Sequence, residues 1–281
     1  MQVTGYGGGT GASYWNKGVF LAFKGIITAG NNGTVNVDGT GGLTNDDENY
    51  GIYLTENTVG TGCVITSSGG AVHIRATGGS QTKDLHIGKL GVISSGNNAP
   101  ILIEANSVDF AGSPQGKIDA PGADVTIRPR TTEVQIRLGG DDVLSPASSR
   151  SLGLTAAELN QITATSLTLG RNDLAIGGIS VLGAVGISHI PNLSLITPMN
   201  INVAANLTAG SGLLTLSANQ QATATAANFA GVTIQNGVEI IAVGTGNIQV
   251  LGKGGVIQEV HPIMGYFSTV GISAIVPGAS R

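Results

Sequence analysis

Short runs of alternating apolar and polar residues recur along this chain at a nearly fixed spacing. Gly18–Gly42 reads GVFLAFKGIITAGNNGTVNVDGTGG, Gly51–Gly79 reads GIYLTENTVGTGCVITSSGGAVHIRATGG, and Asp84–Glu104 reads DLHIGKLGVISSGNNAPILIE. Gly231–Gly255 (GVTIQNGVEIIAVGTGNIQVLGKGG) repeats the first at the same length. Each copy holds a short alternating strand, a small aliphatic step, a Gly/Asn corner and a second alternating strand. Such self-similarity, with strands of about five residues and glycine at the corners, predicts an all-β solenoid.

Alternation with period two buries one face and wets the other. Val19, Leu21 and Phe23 align with Ile52 and Leu54, then with Leu85 and Ile87. Val35 and Val37 align with Val72 and Ile74, then with Ile101 and Ile103. Stacked over one another, these positions form inward ladders, with Ile27, Ile65 and Ile93 holding a middle strand. Asn36, His73 and Thr55 fall outward. About ten coils at ~4.8 Å each predict a rod roughly 50 Å long.

Gly18, Gly51 and Asp84 open successive copies at a spacing of 33 residues, more than the ~25 a coil needs. The excess sits in Tyr6–Lys17, Leu43–Tyr50 and Gly78–Lys83, each following the glycines that close a coil. These insertions are expected to line one edge of the rod. The coils run over 1–127. Residues 128–165 read as a polar connector with one short helix near 155–162, external to the solenoid. Thr155 caps it, Glu158 completes a capping box, and Leu154 and Leu159 form a staple. Leu154, Leu159 and Ile162 are expected against the rod. Further coils follow over 166–255, then an apolar tail, 256–281, that caps the last coil or joins it to another.

Charged residues make up only 11% of the chain, against a usual ~25%. No apolar stretch approaches the ~20 residues of a membrane span, so the low charge points to a β protein with Thr, Asn and Ser outside. Net charge is −4 with no basic cluster, which argues against nucleic acid. The single cysteine, Cys63, excludes an internal disulfide and reads as a buried thiol. Met1 precedes neither a positive nor an apolar signal region. Met1–Gly9 (MQVTGYGGG) instead matches Ile248–Gly255 (IQVLGKGG), a closing strand, so the chain is expected to be a segment of a longer repetitive protein.

The pattern at Met1–Gly42, seen again at Gly231–Gly255, and the string VTIRP…LGGDD…LGLTAAELNQITA…LTLG over residues 125–170 together resemble a known family. It is the repeat region of very large, filamentous-haemagglutinin-like bacterial surface proteins. The resemblance implies a right-handed parallel β-helix, an extracellular or cell-surface location and an adhesive or structural role. It brings no catalytic residues.

Parallel β-helices also carry polysaccharide lyases and hydrolases, whose sites need carboxylates clustered on adjacent coils, often around calcium. The acidic runs here are Asp46-Asp47-Glu48, in an insertion, and Asp141-Asp142, after Gly139-Gly140. Both read first as solvated turns; the former is a candidate weak cation loop. His73, His86, His189 and His261 do not have ligand spacing. No phosphate-binding loop or nucleophile elbow occurs. Tyr14, Trp15 and Tyr50 fall in the insertions, where an exposed ring stacks on a sugar or instead caps the first coil. Phe20, Phe23 and Tyr53 belong to strands, as packing or surface-ladder residues.

The expected function is therefore a structural, non-catalytic filament segment needing no cofactor or metal. Its partners are other copies or neighbouring repeats. The alternative is a carbohydrate- or surface-binding module using Tyr14, Trp15, Asp46, Asp47, Glu48 and Tyr50. A polysaccharide-degrading enzyme ranks third. Head-to-tail stacking is expected, with Ile263, Tyr266, Phe267 and Ile272 of the tail as joint or cap.

Overall fold

The computed structural model describes residues 1–9, 13–43, 48–55, 61–145 and 149–255. Gln2–Tyr6 (β1) is followed by coils of three strands. The first is Val19–Leu21 (β2), Ile26–Ala29 (β3) and Val35–Thr40 (β4). The second is Ile52–Leu54 (β5), Val64–Ser67 (β6) and Val72–Thr77 (β7). The third is Leu85–Ile87 (β8), Val92–Ser95 (β9) and Ile101–Glu104 (β10). The fourth is Val108–Phe110 (β11), Lys117–Asp119 (β12) and Asp124–Arg128 (β13). The fifth is irregular: Gln135–Leu138 (β14), Ser151–Leu154 (β15), a helical turn Ala156–Leu159 (α1), Ile162–Thr163 (β16) and Ser166–Gly170 (β17). Regular coils then resume with Ile179–Val181 (β18), Val185–Ile187 (β19) and Asn192–Thr197 (β20). Ile201–Val203 (β21), Leu207–Ala209 (β22) and Leu213–Ala218 (β23) form the next. Val232–Ile234 (β24), Ile240–Ala242 (β25) and Asn247–Gly252 (β26) form the last described coil.

Closing strands of the described coils pair in parallel as one sheet, β1-β4-β7-β10-β13-β17-β20-β23-β26. Opening strands form β2-β5-β8-β11 and β15-β14-β18-β21-β24; middle strands form β3-β6-β9-β12-β16 and β19-β22-β25. The chain is a parallel β-helix. Nine stacked strands span roughly 40 Å at ~4.8 Å per step, shorter than the expected rod.

The inward ladders follow from alternation. Val3, Val37, Ile74, Ile103, Ile127, Leu169, Leu195, Leu216 and Val250 are successive register partners in the long sheet. All twelve strand positions expected inward, from Val19 to Ile103, are buried, and so is Cys63. Phe23 is not. It lies at the corner after β2 with φ 48° and is 92% exposed, because the chain leaves the strand at Leu21 to turn.

The expected helix is a single turn, with the Thr155 cap and the Glu158 capping box both formed. It stops early for two reasons. The Asn160 amide donates back to the Ala156 carbonyl, and Ile162 is taken by β12 as a register partner. Leu154, Leu159 and Ile162 are all fully buried. Residues 128–165 also hold three strands, and the long sheet passes this level directly from β13 to β17.

Here stacking order inverts chain order. β15 lies between β11 and β14, although β14 comes first in sequence. The connection 139–150 is about the dozen residues that two parallel neighbours need, since a hairpin joins only antiparallel strands. On the middle face α1 packs against β19, and His189 Nε2 donates to the Ile162 carbonyl of β16 at 3.0 Å. Two faces thus gain material at this level while the long sheet gains none.

Candidate functional site

The insertions do share one corner. Asn16 donates from its backbone and side-chain nitrogens to Asn49 Oδ1 (3.0 and 3.1 Å), and Asn49 N–H donates to Thr82 Oγ1 at 3.3 Å. These three residues repeat the spacing of the copies, so polar side chains stack along the corner as aliphatic ones stack inside.

Next to that corner is the outer face of the first opening sheet. Phe20, Tyr53, His86 and Asp109 are successive register partners on its outward positions. Tyr53 lies flat on His86, with ring centroids 4.3 Å apart and planes 6° from parallel. Tyr50 leans on both rings, at 4.7 and 5.2 Å. Lys17 enters from the insertion, its side chain only 5% exposed, with Nζ 3.2 Å from Glu48 Oε2. The same ammonium is 3.9 Å from the Trp15 centroid and 4.8 Å from that of Tyr53, a cation–π cage around the protein's own lysine.

This geometry divides the candidate binding residues. Trp15, Glu48 and Tyr50 are brought together by Lys17. Tyr50 and Tyr53 are engaged within the molecule, whereas Tyr14 and Trp15 are 67% and 60% exposed. Asp46 and Asp47 lie outside the described residues. Ile263, Tyr266, Phe267 and Ile272, in the tail, do as well.

Asp142 departs from its reading as a solvated turn residue. Its side chain is 2% exposed and folds back onto the rod, with Oδ2 3.4 Å from Lys83 Nζ. Oδ1 accepts from Gly153 N–H at 2.7 Å. Burial pushes this carboxyl up to about 8, against the pull of Lys83. Lys83 also stands 3.4 Å from Asp109 Oδ1, and His86 Nδ1 lies 2.7 Å from Asp109 Oδ2. Burial opposes ionisation of Asp109, yet the His86 hydrogen bond and the Lys83 charge hold it below the usual carboxylate range. Burial also opposes the Lys83 ammonium, but Asp142 and Asp109 raise it above an ordinary lysine. Beside this group, fully buried Asp84 accepts from Gly78 N–H (2.7 Å), Asn106 N–H (2.6 Å) and Arg150 Nη2 (2.9 Å). Lys83–Asp142 and Arg150–Asp84 thus clasp both ends of the 139–150 connection to the third coil.

A second charged array lies on the long sheet. Asp38, Arg75, Glu104 and Arg128 are successive register partners, alternating in sign along the axis. Glu104 accepts from Arg128 Nε and Nη2 (3.0 and 2.8 Å) and Arg171 Nη1 (3.2 Å), and pairs with Arg75 at 3.2 Å. Arg130 reaches Asp38 at 3.2 Å. Arg171 forks onto Asp173 and holds that carboxyl below its ordinary value. The aligned copies carried this ladder, because its members occupy one outward column; opposite charges there were the available signal.

Among the described residues no cluster of three His, Cys, Asp or Glu side chains forms a metal site, and no helix is long and apolar enough to cross a membrane. Comparison with known proteins finds no family model, curated protein or solved structure that matches the chain.

Proposed function

We propose that this chain is a non-catalytic structural segment of a bacterial cell-surface or extracellular filamentous protein. The observation that carries the reading is the pairing of an unbroken inward ladder with outward charges that neutralise one another. Such a molecule directs its sequence toward a self-supporting rod. The resemblance over residues 125–170 supports the surface setting. Protease treatment of intact producing cells tests it: release of rod fragments is expected, and complete protection until lysis would contradict it.

The partners in this reading are further copies or neighbouring repeats. In the last described coil Ile240, Ala242 and Val250 are half-buried, while their partners Leu207, Ala209 and Leu216 are fully buried. Gln249-Val250 also matches Gln2-Val3. A second copy's β1 laid on β26 would continue the long sheet in an open, heterologous contact. Sedimentation across a wide concentration range is expected to show growing species; one unchanging species would exclude it.

A carbohydrate- or surface-binding module is the second reading, favoured by the exposure of Tyr14 and Trp15 at one corner. Glycan-array binding lost in Trp15→Ala would favour it over a pure scaffold.

A further inference from the structure

We propose that Lys83 and Asp142 join in an intramolecular amide bond, which staples the 139–150 connection to the third coil. The bond would run between Lys83 Nζ and Asp142 Cγ.

The three parts such a reaction needs are assembled here. The nucleophile, Lys83 Nζ, is 3.4 Å from Asp142 Oδ2, the oxygen carried by the carbon it would attack, so the two groups are held as neighbours. The electrophile is almost completely buried, and Oδ2 accepts no hydrogen bond. Its other oxygen, Oδ1, faces the Gly153 N–H at 2.7 Å, a donor placed to stabilise negative charge on that oxygen during attack. The proton acceptor is Asp109, whose Oδ1 is 3.4 Å from the same ammonium and whose Oδ2 is held by His86. The ammonium is the favoured form of Lys83, so the attacking amine is a minor species and the linkage forms slowly. Burial pushes the Asp142 carboxyl up to about 8 against the pull of Lys83, so the neutral acid, the form an amine can attack, is populated near neutral pH. The ionised partner is Asp109, so the two carboxyls have opposite roles set by their surroundings. Glu158, the remaining acid whose charge acts on Lys83 and Asp142, is occupied in the helix cap.

The step balances without a redox partner. Asp109 takes one proton from the Lys83 ammonium, and the free amine attacks Asp142 Cγ. The N–Cγ bond forms while a second nitrogen proton passes to the departing hydroxyl. The Cγ–Oδ2 bond breaks, one water leaves, and the proton on Asp109 goes to solvent. With a single cysteine the chain makes no disulfide of its own, and an amide at this point would lock the level at which, among the described residues, stacking order and chain order disagree.

Intact-mass and tryptic peptide analysis of the purified full chain decide the matter. The expected mass is below that of the sequence by one water, about 18 Da. Trypsin should no longer cut after Lys83, giving Ala76–Lys89 joined to Leu138–Arg150. Lys83→Arg and Asp142→Ala should each restore the mass expected from sequence. Asp109→Asn keeps both reacting groups, so a protein with unchanged circular dichroism but mostly unlinked peptides is expected. Full sequence mass with cleavage after Lys83 in the unaltered protein would reduce the pair to an ordinary ion pair and overturn the proposal. Undiminished linkage in Asp109→Asn would overturn the assignment of Asp109 as proton acceptor.

Discussion

Asp109 sets an acid limit on stability. Its pKa is depressed in the folded chain, so its contribution is present above the ordinary carboxylate value of 3.8 and is lost as pH falls through the folded value. Thermal midpoints between pH 5 and pH 2 should therefore fall less steeply in Asp109→Asn than in the parent; equal slopes would remove Asp109 from the acid limb. Inside the rod, Ile74→Asp places an unpaired charge in a dry ladder and should cost about 3–5 kcal/mol in urea unfolding. A loss below about 1 kcal/mol would mean the ladder is open to water. Inward positions such as Ile74 were legible because period two and the copy alignment act on the same residues. Asp142 was not legible. After two glycines it has the composition of a turn, and only the tertiary return of 139–150 brings Lys83 beside it. Phe23 misled for the converse reason, as an apolar residue in register one step beyond the end of its strand.

At the level of elements, the fifth coil is where local signals and stacking differ. Thr155 and Glu158 announced the helix start correctly, and Thr155→Ala should cost ~1 kcal/mol by chemical denaturation, with Thr155→Ser close to neutral. Equal losses in both variants would show that the hydroxyl is not the capping group. The helix end was less legible, since Asn160 and Gln161 suit a helix until β12 claims Ile162. Nothing in residues 135–154 reveals that β15 stacks beneath β14. Both strands are short, with Ile136 and Leu138 in one and Leu152 and Leu154 in the other as matching register partners, so either order would fit the pattern. The corner stack Asn16–Asn49–Thr82 was foreshadowed by the shared position of the insertions, though not its hydrogen bonds. The cage around Lys17 needed the register of Phe20, Tyr53 and His86, which one alternating strand does not supply.

Across the whole molecule, each coil contacts mainly its neighbours, so stability is a sum of coil and interface terms, and continuity depends on every interface holding. Among the described residues the long sheet is the one sheet that runs from the first strand to the last. The other two faces divide or invert at the fifth coil. A scaffold that transmits load along its axis requires the β13–β17 interface to be as firm as those on either side. Amide hydrogen exchange on the purified protein measures this most directly. Amides of β10, β13, β17 and β20 should exchange slowly and as one block. Rapid exchange at Asp124–Arg128 and Ser166–Gly170, flanked by two separately protected halves, would contradict a single continuous rod.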